Sequence, residues 1–240
     1  MTEQMRSRGG DAEVTVVGGS ENLEVMSEAP RYLSYVGRIV AEHLPTHGDL
    51  VELGSGDGTQ TGFIVNEPQR LTCVEPNANL HDALRRKHYR VAHTLSELSE
   101  ATFDGAFSIN CLEHIPDDVD ALRQLARVVR AGSPIVVFVP AFMMLYSKMD
   151  HKVGHVRRYR RREMIGKFAE AGLKIDDVRY VDSLGWLMSL VYRLLPRRSG
   201  TPSVRAVKMF DQVIFPISRT LDKLVGHKFG KNLLIVGRKA

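Results

Sequence analysis

The chain of 240 residues contains only two cysteines, Cys73 and Cys111. Nothing in their spacing suits a metal site, and both lie in apolar runs. Reduced core thiols of a cytoplasmic protein are therefore expected, not disulfides. No apolar run reaches the roughly 18 residues that a membrane-spanning helix requires. The opening residues do not join a basic start to an apolar core, so no secretory signal is expected. Internal repeats and low-complexity tracts are lacking as well.

What is present fits a globular protein. Hydrophobic residues make up 43% and charged residues 25% of the chain, an ordinary soluble balance. The length suffices for one domain with a three-layer core. A net charge of +5 suits an anionic ligand or surface without requiring a nucleic acid, and no nucleic-acid partner is expected. Residues 1–20 are polar and Gly-rich at their start and read as a flexible tail. From Glu21 to Leu44 apolar residues recur at helical spacing, which predicts one or two helices.

Strands and helices then alternate. The segments "DLVELGSG", "RLTCVEPN", "YRVAHT", "FDGAFSIN" and "SPIVVFVPA" read as five strands. Between them, "GTQTGFIV", "NLHDALRRK" and "DVDALRQLARVVRAG" read as helices, with Gly132 placed to stop the last. "LKIDDVRYVD" and "KNLLIVGRKA" add strands six and seven. The pattern predicts an α/β fold: a doubly wound, Rossmann-like sheet with helices on both faces.

The turn after the first strand reads Glu52-Leu53-Gly54-Ser55-Gly56-Asp57-Gly58. Its E-x-G-x-G-x-G spacing differs from the dinucleotide G-x-G-x-x-G. Alternate glycines let a backbone bend tightly and approach a ligand, and the N-terminus of a following helix would favour an anionic group. Glu75 falls at the end of the second strand, where an acid commonly accepts ribose hydroxyls.

With these features the sequence resembles the class I S-adenosylmethionine-dependent methyltransferases. "VELGSGDGT", "CVEPN" and "SINCLEHIPDD" look like their first, second-strand and fourth-strand motifs. The likeness is closest to bacterial small-molecule, glycosyltransferase-associated sugar-type enzymes, through "EHIPDDVDALR", "VPAFMMLYSKMDHKVGHVRRY" and "FGKNLLIVGRK". It implies a single methyltransferase domain over residues 21–240, with a seven-stranded sheet and S-adenosylmethionine as cofactor. Glu52 would orient the loop and the methionine amino group, and Gly54, Ser55 and Gly56 would line the cofactor. Glu75 would grip the ribose, Pro76 and Asn77 would border the adenine, and Asn110 and Cys111 would meet the methionine end. Relatives often place an acid after strand three; here "VAHTL" offers Thr94 or a backbone carbonyl.

The resemblance also places an acceptor-side loop, residues 141–162 after strand five, over the methyl donor. An alcohol acceptor must lose a proton, and histidine is the usual base near neutral pH. His155 is the predicted base, with Asp150 as its orienter or as a hydrogen-bond acceptor from the substrate. Tyr146, His151 and His114 are further acceptor-side candidates, although His114 could simply pack a helix start and His151 could be solvated. Arg157, Arg158 and Tyr159 complete the acceptor-side set, with Arg157 or Arg158 pairing a carboxylate such as Asp150 or Glu113. Arg160 to Arg162 read as a solvated face. Asp150, His151 and His155 could be imagined as metal ligands, but no second motif supports this, and no metal site is predicted. Magnesium bridging a polyol acceptor stays open without being predicted.

Residues 183–230, between the last two strands, carry two apolar stretches of helical period. They are expected to form a helical cap over the acceptor; a dimer contact or a membrane-facing surface are the alternatives, the last helped by Arg193, Arg197 and Arg198. A monomer or a homodimer is expected. The function implied is methylation of a hydroxyl on a small molecule, a sugar or glycan precursor in the first place. An isoprenoid, quinone or lipid-linked acceptor, methylated at carbon or oxygen, comes second, and a non-catalytic cofactor-binding or nucleic-acid-binding protein third.

Overall fold

The computed structural model describes residues 28–194, 203–225 and 227–239. The tail over residues 1–20, and Arg197 and Arg198, lie outside the described residues, as does the side chain of Arg193. Helix α1 (Pro30–Ala41) precedes strand β1 (Leu50–Leu53). Then follow β2 (Leu71–Val74), α2 (His81–Arg86), β3 (Arg90–Ala92), β4 (Gly105–Ile109) and α3 (Asp118–Val128). β5 (Pro134–Pro140), a short α4 (Lys148–Val153), α5 (Arg161–Glu170) and β6 (Leu173–Val181) come next. Helices α6 (Ser183–Leu194), α7 (Val204–Met209) and α8 (Phe215–Leu224) lead to β7 (Asn232–Lys239).

The seven strands form one sheet in the order β3-β2-β1-β4-β5-β7-β6, parallel except for β7. Its central strands are apolar on both faces because both faces are covered. Along β5, Ile135, Val137 and Val139 join one core while Val136 and Phe138 join the other. This is the doubly wound, three-layer fold expected from the alternation.

Two expectations about local structure fail. "GTQTGFIV" forms only a single 3-10 turn, Thr61–Phe63, not an α-helix. Gly58 and Gly62 weaken helix there, and the Thr61 hydroxyl is committed to Glu52 Oε2 at 2.7 Å. The anion preference of a helix N-terminus therefore does not apply at the glycine turn. Gly132 does not stop α3 either; the helix ends at Val128, because Val129 turns extended and bridges Phe103.

The insertion is anchored by buried aspartates. Asp222 accepts the Asp182 and Ser183 amides at 2.9 and 2.8 Å, capping α6. Asp211, in the π-helical turn before α8, accepts the Arg31 and Tyr32 amides at 3.2 and 2.8 Å. Pro30 occupies the first position of α1 and has no amide to offer, so a distant carboxylate supplies the cap.

Asp118, at the start of α3, ties the acceptor-side segment to the sheet. Its carboxylate receives Arg157 at 2.7 Å, Lys167 at 2.9 Å and the Tyr159 hydroxyl at 2.8 Å. Burial alone would raise its pKa, but these partners hold it below the usual carboxylate range. A depressed folded-state pKa stabilises the fold above the unfolded value and loses that stabilisation as pH falls through the folded one. Removing one partner of a buried pair costs about 3–5 kcal/mol. Asp118→Ala should lower the thermal midpoint by several degrees at pH 7 and show a weaker loss of stability on acidification than the parent. Equal midpoints at pH 7 would show that Asp118 does not tie the segment down.

Candidate active site

The first end of the site lies at the tips of β1, β2 and β4. Gly54 and Gly56 have φ of +79° and +56°. A Cβ on Gly54 would collide with the Cys111 side chain, so the β1 and β4 turns meet only because this residue is glycine. Glu75 turns back to receive the Gly56 amide at 2.8 Å through Oε2 and the Asn77 amide at 2.9 Å through Oε1. A carboxylate oxygen has a second lone pair, so ribose hydroxyls can still be accepted there. Burial pushes the Glu52 carboxyl up to about 7, against the Thr61 hydrogen bond. Asn110 (φ +48°) is exposed beside half-buried Cys111.

S-adenosylmethionine fits this end. The turn presents bare backbone at positive φ, and Ser55 Oγ is buried without a partner. Pro76 and Asn77 are half-buried beside Glu75, while Thr94 is exposed after β3, with its hydroxyl 2.7 Å from Ser96 Oγ. Glu52, Gly54, Ser55, Gly56, Glu75 and Asn110 are the residues that would hold the cofactor.

The second end is built by the segment after β5. This segment contains α4, which the sequence reading treated as loop. Ser147 Oγ accepts the Met149 amide, and Asp150 Oδ2 accepts the Ser147 amide at 2.8 Å, a capping box that fixes Asp150. Gly154, at φ +83°, closes the helix and turns the chain back. His155 thereby returns to Asp150, with Nδ1 to Oδ1 at 2.7 Å. Arg158 clamps the same carboxylate through Nε at 2.7 Å and Nη2 at 3.0 Å. Burial opposes the charge, but His155 and Arg158 hold the Asp150 carboxyl well below its usual range. An ionised Asp150 can only accept, so Nδ1 of His155 carries a proton, and in the neutral ring Nε2 presents the lone pair.

That lone pair faces Glu113, whose Oε1 lies 3.7 Å away. Glu113 is 0% exposed and neither of its carboxylate oxygens has a hydrogen-bond partner. Burial pushes it up to about 8, with Arg158 opposing. The His114 ring stands edge-on to His155, with centroids 4.8 Å apart. Burial and the neighbouring His155 push His114 down to about 4, which keeps its ring neutral.

The other predicted acceptor-side residues divide. Tyr146 is half-buried and donates its hydroxyl to the His155 carbonyl at 2.6 Å. His151 is exposed and takes no part in the cluster, so the imagined Asp150, His151 and His155 ligand set does not assemble. Arg157, Arg158 and Tyr159 belong to the scaffold: Arg157 pairs with Asp118, Arg158 with Asp150, and Tyr159 is wholly buried, with its hydroxyl also 3.0 Å from the Leu112 carbonyl. The Tyr159 hydroxyl is committed to Asp118 and to that carbonyl. Arg161 is not solvated as expected. It is half-buried, lies over the Tyr180 ring at 5.1 Å and donates to the His227 carbonyl.

Sequence reasoning underrated Glu113, read only as a partner for arginine. The one available signal was the adjacency of Glu113 and His114 just past the β4 motif. Nothing in the sequence marked Lys231, which lies near Asp182, Arg158 and Asp150 and whose pKa is lowered first by burial.

Because Gly54 needs both positive φ and an absent Cβ, Gly54→Ala should disturb the cradle rather than the core. An alanine forced into the left-handed region costs about 1–2 kcal/mol, before the clash with Cys111 is counted. Calorimetry should show binding of S-adenosylhomocysteine weakened at least tenfold, roughly 1.4 kcal/mol, in a protein that still melts cooperatively. Unchanged affinity would mean that the turn does not carry the ligand.

A protein-family profile described as a methyltransferase domain matches residues 51–137. Norajmaline N-methyltransferase of Rauvolfia serpentina is 28% identical over 91 residues, which is 38% of this chain and 31% of that protein. The match thus spans about a third of that relative's length. Two solved structures share the fold. A methyltransferase from Thermotoga maritima has a TM-score of 0.60 and 18% identity, covering 95% of this chain and 97% of its own. Geranyl diphosphate C-methyltransferase from Streptomyces coelicolor A3(2) has a TM-score of 0.61 and 16% identity, covering 86% and 77%. Residues 51–137, from β1 into β5, thus match a methyltransferase domain, and over nearly the whole chain the fold is the class I fold of S-adenosylmethionine-dependent methyltransferases.

Proposed function

We propose that the protein transfers a methyl group to a hydroxyl oxygen of a small molecule, with a sugar or glycan precursor as acceptor. The observation that carries this reading is the pair of buried Asp150 and half-buried His155, 2.7 Å apart, beside the loop that follows β4. Bound at the glycine turn, S-adenosylmethionine supplies a methyl carbon on a sulfonium, open to in-line displacement. The chain's own residues then align the acceptor and manage its proton. Asp150 fixes the His155 tautomer, and Nε2 is the atom to which the hydroxyl gives its proton. The sugar assignment rests on the resemblance around "VPAFMMLYSKMDHKVGHVRRY", not on a residue that reads a sugar.

The insertion fits the role of a cap. Trp186 of α6 packs edge-on to Phe142, at 6.5 Å between ring centroids, and to Phe229 at 5.6 Å. Phe142 opens the segment that carries Asp150 and His155. A second reading, an isoprenoid, quinone or lipid-linked acceptor, is favoured by the apolar side chains Leu187, Met188, Val191, Val213 and Ile217, which the insertion leaves exposed. No helix among the described residues is long and apolar enough to cross a membrane.

Incubation with methyl-labelled cofactor and a panel of sugars, quinones and isoprenoid phosphates separates the two. Label on sugar hydroxyls is expected; label confined to the apolar acceptors would overturn the sugar assignment. His155→Ala should lower turnover by about 100-fold or more while leaving S-adenosylhomocysteine binding intact. Unchanged turnover would remove His155 from the proton transfer.

A further inference from the structure

The trio at the acceptor end is incomplete as it stands. Glu113 Oε1 and Nε2 of His155 face each other at 3.7 Å, and no group among the described residues hydrogen-bonds either Glu113 oxygen. A carboxyl group that is 0% exposed with both oxygens unpartnered is costly to keep. Serine, threonine or arginine would normally fill such a gap. Here the Arg158 guanidinium is committed to Asp150 and to the Ala141 carbonyl.

We propose that Glu113, His114 and His155 form a divalent-cation site at the acceptor end of the cleft. Each contributes one ligand atom, and the three atoms lie within 4.8 Å of one another. A tetrahedral cation about 2.0–2.2 Å from each would draw them together by up to roughly 1.4 Å, within reach of side-chain rotation. Two imidazoles and one carboxylate suit a first-row transition ion from manganese to zinc better than magnesium or calcium, which prefer oxygen throughout. The supporting shell is already in place. Asp150 accepts the Nδ1 proton of His155, the carboxylate–histidine arrangement that orients metal-binding imidazoles. The Val156 amide donates to the Glu113 carbonyl at 2.9 Å, so the two halves of the site are joined through the backbone.

Three protein ligands leave further positions for acceptor oxygens. This deepens the hydroxyl-methylation reading and rests on it for what those oxygens belong to. With the ion bound, Nε2 of His155 is a ligand instead of the base: the cation would bind the acceptor oxygen and lower its pKa, the proton would pass to solvent, and the oxygen–methyl bond would form as the sulfur–methyl bond breaks.

The test uses the whole chain, stripped with a chelator and titrated with Co2+, whose visible bands report coordination without any turnover. One equivalent should give ligand-field bands of a nitrogen- and oxygen-bound ion. Glu113→Gln and His114→Ala should each weaken binding at least about tenfold, and His151→Ala should not. Binding of S-adenosylhomocysteine checks that each variant is folded, and either variant alone suffices if the other is not. Absence of the bands, or bands unchanged in the folded variants, would overturn the site. Full turnover of a hydroxyl acceptor in stripped protein that binds no Co2+ would overturn the cation while leaving His155 as the direct base. Co2+ held by the trio, with no hydroxyl methylated, would keep the site and overturn the acceptor reading.

Discussion

A buried aspartate with every lone pair occupied organises the acceptor end. Asp150 takes Arg158 through both carboxylate oxygens, His155 through Oδ1, and the amide and hydroxyl of Ser147 through Oδ2. Each contact closes a different part of the segment after β5. Ser147 starts α4, the left-handed Gly154 returns the chain, and Arg158 clamps the returning strand. Without that carboxylate a buried guanidinium would have no counter-charge, and the His155 ring would have no defined tautomer. The local fold and the chemistry thus depend on one ionised group. The segment as a whole is held elsewhere: Arg157 and Tyr159 bind Asp118, and Tyr159 also exchanges backbone hydrogen bonds with Pro140 and Phe142. Asp118 fixes where the segment lies, and Asp150 fixes what it presents.

Much of the fold was legible because the sheet is buried on both faces. Strands such as "LVEL", "GAFSI" and "PIVVFVP" announce themselves as apolar runs ended by glycine, asparagine or proline. The missed features share a physical cause: each depends on a partner distant in sequence. Thr61 looks like a helix residue until its hydroxyl is seen to serve Glu52. Val129 looks like the last turn of α3 until Phe103 claims it. Arg161 looks solvated until Tyr180, on β6, supplies a ring beneath it. The Asp150–His155 pair was readable because both partners lie within one short turn. Glu113, in the turn that follows the neighbouring strand β4, was not.

The insertion before β7 follows the same logic of buried charge. Asp222 caps α6 and Asp211 caps α1, so two helices begin on carboxylates supplied by a third region. Asp182, itself at φ +66°, accepts the Gly185 amide and the Ser218 hydroxyl, and a Cβ at Gly185 would strike its carboxylate. The insertion is therefore bonded to the sheet edge and to α1 at fixed points. Its outer apolar residues are left free of that task, which is why their exposure bears on the acceptor and not on the fold.

Glu113 and Asp150 are both buried and both touch the environment of one imidazole, yet their surroundings are opposite. Asp150 is saturated with donors and held ionised, while Glu113 has none and is pushed toward neutrality. Pairs of carboxylates whose environments drive them apart are a mark of chemistry rather than of packing. Structural need explains the first: it holds a loop. No structural need explains the second, since an uncharged side chain at position 113 would fill the same space without an unpaired polar group. The imidazole between them carries a proton on the side of the satisfied carboxylate and a lone pair on the side of the unsatisfied one. Whatever completes that centre must bring positive charge or a proton to the Glu113 side, where the half-buried His114 and His155 rings lie between the buried carboxylate and solvent.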